Sequence, residues 1–333
     1  MVRARRGAAD RAREPAALAG VAPLTRVVAL RGGAQESEHR IAWCVVEPGG
    51  AVQGPDGDLP VFARSAVKPL QALGSVRAGV VERFGLGTRH LALACASHGG
   101  SAEHVAVVAE VLEATGLVEG ALGCGPELPL DPRERRGATP RRIRHNCSGK
   151  HAFGLARCVQ EGWPLDGYFR VGHPLQGAMR DCVAEACGVE RPTEEANDGC
   201  GMRTFAVPLQ ALAAAFGRLA SGALGPSGDR CAAAMRAHPE LVAYDGAIDT
   251  ELMRAEAGLV AKIGAEGVLA VGLPDGRGLA MKVRDGATRA VAPAGVALAR
   301  DALGLEAAVP DGLAVAPIIN SRGLRVGELR AVR

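Results

Sequence analysis

The sequence predicts an α/β protein in which strands from both ends of the chain share one antiparallel sheet. Three observations carry this. Near the start, residues 24–30 and 41–47 are apolar, β-branched runs joined by a polar stretch, a pair of strands around a turn. Near the end, residues 268–286 hold two apolar runs around Pro274-Asp275-Gly276-Arg277-Gly278, the clearest hairpin in the chain. Between them lie helical patterns. Ser101 is a plausible N-cap for a helix whose stripe is Val105, Val108, Ala109 and Leu112, closed by Gly116. Residues 205–219 form a second helix, with Pro208 in its first turn and Leu209, Leu212, Ala213 and Phe216 on one face. Residues 91–94 read as a strand before a Ser-His-Gly-Gly turn.

The chain has 333 residues, 48% hydrophobic and 23% charged, which suits one large globular domain or two smaller ones. A net charge of +3 is too balanced for a nucleic-acid binder, which needs a basic face. No apolar run is long enough to span a membrane. Residues 1–22 carry five arginines and no apolar core segment, so they read as a disordered basic tail rather than a secretory signal. Nine scattered cysteines, an odd number, suit reduced thiols and a cytoplasmic location better than a disulfide scaffold.

One count is unusual. Only four of the 39 basic residues are lysines (Lys68, Lys150, Lys262 and Lys282), leaving 35 arginines. Arginine stays protonated, whereas a buried lysine can lose its proton. Each lysine therefore marks a place where arginine does not serve. Arg64-Ser65-Ala66-Val67-Lys68-Pro69 holds a Ser-x-x-Lys spacing, which puts amine and hydroxyl on one helical face. A desolvated lysine can act as base for a serine nucleophile. The same spacing opens the active sites of class A β-lactamases. Pro69 disturbs the helix there, since the residue before proline avoids the α region.

Ala94-Cys95-Ala96-Ser97-His98-Gly99-Gly100 is a glycine-rich connection with an exposed hydroxyl and free backbone N–H groups. His145-Asn146-Cys147-Ser148-Gly149-Lys150-His151 places Cys147 and Lys150 one turn apart, and Asp198-Gly199-Cys200-Gly201 adds a second thiol. These can be structural cysteines, reactive thiols, or two thiolates and an amine for a tetrahedral metal. Lys282 lies on the second hairpin strand. Lys262 has no such neighbours and reads as a helix-surface cation.

Taken in order, these segments resemble the asparaginase II family, the rhizobial-type L-asparaginases. The matching runs are residues 64–73, 94–98, 124–126, 145–152, 198–201, 262–267 and 273–278. The departures are Gly99-Gly100, Glu127 and Met202-Arg203; the last pair, beside Cys200, bears on substrate preference. The resemblance implies one catalytic domain over residues 23–333, with a fold similar to serine β-lactamases and glutaminases, and a homodimer. It implies hydrolysis of L-asparagine to L-aspartate and ammonia. It implies two serine–lysine pairs, Ser65 with Lys68 and Ser97 with Lys282. It also implies a zinc ion on Cys147, Lys150 and Cys200, with His151 behind the ligands. Arg64, His98 and Asp198 become substrate-binding residues, the charged two by complementarity to the α-carboxylate and α-ammonium. The rival readings are a glutaminase or other serine amidase on the same scaffold, and a non-catalytic protein that binds an amino acid or zinc.

Overall fold

The computed structural model describes residues 26–306 and 309–333. The basic stretch 1–22 lies outside the described residues. An eight-stranded sheet runs in the order β10-β11-β1-β2-β9-β8-β7, with the short β3 paired to β2. Its strands are β1 Arg26–Arg31, β2 Ala34–Val46, β3 Val52–Gln53, β7 Val260–Gly264, β8 Val268–Gly272, β9 Gly278–Val283, β10 Val315–Ile319 and β11 Arg325–Val332. Every pairing in it is antiparallel, and β1 lies between β2 and β11, so both chain ends meet in one sheet. A second sheet holds β4 Pro60–Phe62, β6 Arg203–Pro208 and β5 Glu194–Asn197.

The hairpin at 268–286 forms as the sequence predicts, with Gly272 opposite Gly278. The helix capped by Ser101 runs Ala102–Ala114. Three other local readings are corrected. The polar stretch after residue 30 is not a long turn. Gly32 and Gly33 alone turn the chain, both at positive φ (56° and 86°), as a two-residue hairpin requires. The polar residues after them form the exposed first half of the 13-residue β2. Residues 91–94 are helical, inside Thr88–Ala94; an apolar run this short fits either structure. The helix placed at 205–219 begins later, at Leu209. Phe205 and its neighbours pair in β6, and Pro208 is the extended cap residue, because pairing with β4 and β5 overrides the apolar stripe.

Two helices clamp the main sheet from opposite faces. A Cβ on Gly272 would meet the Phe216 carbonyl at 1.9 Å, and one on Gly278 would meet Ala213 O at 1.8 Å. Helix Leu209–Ser221 therefore lies backbone-to-backbone on the end of the hairpin. Leu269, which points to the other face of β8, packs on Gly295 of helix Val291–Leu303. The remaining long helices, Lys68–Arg77, Ala102–Ala114, Ser148–Glu161, Pro174–Cys187 and Gly225–Ala237, pack on one another, and Gly225–Ala237 reaches β7. Among the described residues no helix is long and apolar enough to cross a membrane.

The hairpin contact has a direct test. Gly278→Ala forces Cβ into the Ala213 carbonyl, so it lowers folding stability by about 3 kcal/mol or more. Gly120→Ala, with open space around it, changes stability by less than about 0.5 kcal/mol. Denaturant midpoints of the two variants check this.

Candidate active site

The site forms where β7 meets the first turn after β4. That turn, Arg64–Val67, is a 3₁₀ helix that runs into helix Lys68–Arg77. Pro69 falls in the first helical turn, where its missing N–H costs no hydrogen bond. Arg64 enters at φ 51°, a left-handed conformation unusual for a residue with a side chain. β7 approaches so closely that a Cβ on Gly264 would lie 2.5 Å from Ala63 O.

Lys68 is 1% exposed. Its ammonium donates to Ala96 O at 2.7 Å, Ser97 Oγ at 3.0 Å and Cys147 Sγ at 3.1 Å. The pairing implied above is thus rearranged. Lys68 bonds Ser97, while the Ser65 hydroxyl makes no hydrogen bond among the described residues. Lys282 does not reach Ser97. Its amine donates to the carbonyls of Glu266 and Val283, at the mouth of an open cleft.

Lys262 is the lysine that the sequence reading misplaced. It is not on a helix surface but on β7, fully buried, in an ion pair with Asp249 at 2.9 Å. Its amine also donates to Ile263 O at 3.1 Å. Burial pushes its pKa down and the nearby Lys68 charge adds to this, against the pull of Asp249. The available signal was a lysine inside the unbroken apolar run Leu259-Val260-Ala261-Lys262-Ile263, between Gly258 and Gly264. Such a run is a buried strand.

The other predicted side chains form a second cluster joined to the first through Cys147. Cys147, Lys150 and Cys200 are all buried. Cys147 caps helix Ser148–Glu161, so Lys150 follows on its first turn. Lys150 Nζ lies 3.4 Å from Cys200 Sγ. The two thiols are shifted in opposite directions, Cys200 down and Cys147 up. The Cys147 hydrogen bond lowers the Cys200 pKa, and Lys150 and His151 add to that. Cys147 is correspondingly raised, by the Cys200 contact and by burial. Burial alone would lower the Lys150 pKa, but Cys200, Cys147 and Asp198 outweigh it and hold the amine charged.

Behind this pair, Tyr168 Oη accepts from the Gly123 N–H at 2.7 Å, so its own proton goes to His151 Nδ1. The His151 proton is then on Nε2. That atom is buried without a hydrogen-bond partner among the described residues, and burial lowers the ring's pKa against the pull of Cys200.

The donor set suits a tetrahedral metal. Nitrogen and sulfur ligands on zinc, bonded at about 2.1 and 2.3 Å, stand about 3.6 Å apart, close to the Lys150–Cys200 separation. Among the described residues no three His, Cys, Asp or Glu side chains group so as to hold a metal ion.

Arg64 and Asp198 neutralise each other, with Nε and Nη2 both 2.8 Å from Oδ1. Asp198 Oδ1 also accepts from the Gly199 N–H and so shapes the turn that carries Cys200. His98 is fully buried. Nδ1 accepts from the Gly100 N–H at 3.2 Å, so Nε2 donates to Ser148 Oγ at 2.8 Å, and no ring nitrogen is left for a substrate. Burial holds its pKa well below normal, helped by His104, Lys68 and His145. The N–H of Gly99 is likewise taken, by Ala243 O at 2.8 Å. The glycine turn that the sequence offered for an oxyanion has no free donor at these two residues.

Residues 27–331 match the family model described as L-asparaginase II. The chain belongs to that family and is thereby an amidohydrolase. Among solved structures it is similar to Mglu in its native form, at 16% identity over 83% of this chain and 68% of that one, with a TM-score of 0.46. A beta-lactamase from Mycobacterium bovis aligns at 16% identity over 78% of this chain and 94% of that one, with a TM-score of 0.41. No curated protein matches the chain.

The Lys262–Asp249 pair gives a prediction. Asp249→Ala leaves a buried ammonium uncompensated and costs about 3–5 kcal/mol, whereas Lys262→Met with Asp249→Leu together is close to neutral. The folded-state pKa of Lys262 lies below its unfolded value. Wild-type stability therefore rises relative to the double variant as pH climbs towards 10.5, because the unfolded chain holds the extra proton. Urea titrations at several pH values measure both effects.

Proposed function

We propose that the protein hydrolyses L-asparagine to L-aspartate and ammonia by acyl transfer. The observation that carries this is the buried Lys68–Ser97 hydrogen bond, one turn from the unengaged Ser65 hydroxyl, in an L-asparaginase II family chain. Ser65 Oγ attacks the side-chain carboxamide carbon. Its proton passes to Lys68, which must be neutral at that moment. The Ser65 N–H precedes the first bonded amide of its turn, Ala66 N to Ala63 O, and supplies a donor for the oxyanion. As the carbon–nitrogen bond breaks, Ser97 hands a proton from Lys68 to the departing ammonia. Water then cleaves the ester, releasing aspartate and restoring Ser65.

We also propose that Cys147, Lys150 and Cys200 hold one zinc ion, with His151 behind the ligands. Bound there, zinc supplies a Lewis acid that orients the substrate or a water. The chain's own residues preorganise it: Cys147 is shared with Lys68, and the Asp198 turn sets Cys200 in place.

A coupled ammonia assay against L-asparagine, L-glutamine and a chromogenic β-lactam tests the substrate class. Fast release from asparagine supports the proposal; release from glutamine alone makes the protein a glutaminase. Ser65→Ala and Lys68→Met each reduce kcat by about a thousandfold or more, and the double variant is hardly worse than either, since they act as a unit. For the metal, elemental analysis finds one zinc per chain in the wild type. Cys200→Ser loses that zinc and melts at lower temperature.

A further inference from the structure

Outside the buried cluster, between the small sheet and the β7–β9 end of the large one, lies a cleft of about 490 Å³. That volume is ordinary for a small-molecule site. Arg64, Asn197, Thr204, Glu266, Lys282 and Arg284 supply its polar lining. Most of their charge is already spent. Arg64 is paired with Asp198, and Arg284 with Asp56. Two groups are not spent. Lys282 forms no ion pair among the described residues. The Glu266 and Asp285 carboxylates act on its charge only from beyond ion-pair distance, and its two bonds to carbonyls leave one N–H free. The Glu266 carboxylate has neither a hydrogen bond nor an ion pair among the described residues. Thr204 Oγ1, on β6 in the facing wall, is buried and without a hydrogen-bond partner among the described residues.

The backbone singles out the same place. Among the described residues only Arg64 and Glu266 hold positive φ without being glycine, at 51° and 60°, and both line this cleft. Strain of this kind persists where the surrounding structure over-determines it, and such residues cluster at functional sites. At Glu266 a glycine would remove the strain, so what the position keeps by carrying glutamate is the carboxylate.

We propose that this cleft binds the zwitterionic head group of an α-amino acid, with Lys282 taking the α-carboxylate, Glu266 the α-ammonium and Thr204 a hydrogen bond to either. One unpaired cation and one unpaired carboxylate on one wall match that head group and no simple anion or cation. Lys282 is then a substrate anchor, not the base for Ser97. The assignment rests on the proposed amino-acid amide substrate, and it moves head-group recognition from the self-neutralised Arg64–Asp198 pair to the open pair beside it.

Kinetics of the whole protein test it. Lys282→Gln and Glu266→Gln each raise KM for L-asparagine at least about tenfold while kcat stays within about threefold, as loss of a charged hydrogen bond predicts. On L-asparagine α-amide, which lacks the carboxylate, Lys282→Gln changes KM little. Glu266→Gly raises KM in the same way while its Tm equals or exceeds that of the wild type. A collapse of kcat at unchanged KM in Lys282→Gln returns that lysine to the chemistry and overturns the proposal, as do unchanged kinetics in both variants. Should the wild type release no ammonia from asparagine, calorimetry with L-aspartate reads the cleft without turnover. Binding by the wild type that Lys282→Gln and Glu266→Gln lose supports the subsite. Binding they retain, or no binding by the wild type, overturns it.

Discussion

Three of the four lysines have their ammonium groups below the surface, and much of the site's geometry follows from satisfying them. A buried ammonium without acceptors costs several kcal/mol, so each must draw carbonyls, hydroxyls, sulfurs or carboxylates from elsewhere in the chain. Lys68 draws Ala96 O, Ser97 Oγ and Cys147 Sγ, and so ties the first helix to two loops 28 and 79 residues away in sequence. Lys150 leans on Cys200 from 50 residues further on. Lys262 takes Asp249 into the core with it. Ser65, Ser97, the two thiols and β7 converge because these amines bind them together. Arginine would not serve here: its longer, planar, permanently charged fork needs more acceptors in one plane.

The sheet makes this convergence possible by close backbone approach. The contacts of Gly272 and Gly278 seat helix Leu209–Ser221 directly on the hairpin. Gly264 does the same at the other end, bringing β7 against the Ser65 turn. A side chain at any of the three would push the layers apart. Lys262 would then lose its place beside Lys68, and the small sheet would shift against the β7–β9 end that closes the cleft.

This explains which parts the sequence revealed. The hairpin and the Ser101 helix are local: turn residues, a cap and a period specify them. The scarcity of lysine singled out Lys68 and Lys150, and both lie buried against hydroxyl or thiol partners. The pairing of side chains was not legible. The Ser65–Lys68 spacing is real, but Lys68 opens the helix, and its long stem follows the acceptors that burial demands, on another loop. Lys262 was misplaced on a surface, and Lys282 makes no hydrogen bond to Ser97 among the described residues. An apolar neighbourhood was taken as a lack of context, when for a lysine it signals enforced burial. A place on a hairpin strand was taken as access to the centre, although that stretch of β9 faces the cleft. Phe205 shows the same limit: its apolar stripe suits a helix, and only pairing with strands far away in sequence decides for β6.

The contacts of Lys68 constrain how a serine–lysine centre can work here. An ammonium has three N–H donors, and Lys68 has three acceptors, so the charged form is saturated. A neutral amine has two donors and a lone pair, so one contact must then reverse. Ala96 O cannot donate at all. Of the other two, the Cys147 thiol is drawn towards Cys200 and Asn146. Ser97 can rotate its hydroxyl and donate back to Nζ at the same 3.0 Å separation. Loss of the Lys68 proton is thus coupled to reorientation of Ser97, which makes Ser97 the exchange partner of the amine. Ser65, without a hydrogen bond, is left as the hydroxyl free to meet a substrate. In the acyl transfer proposed above, the two serines would then divide the work by hydrogen bonding rather than by each owning a lysine.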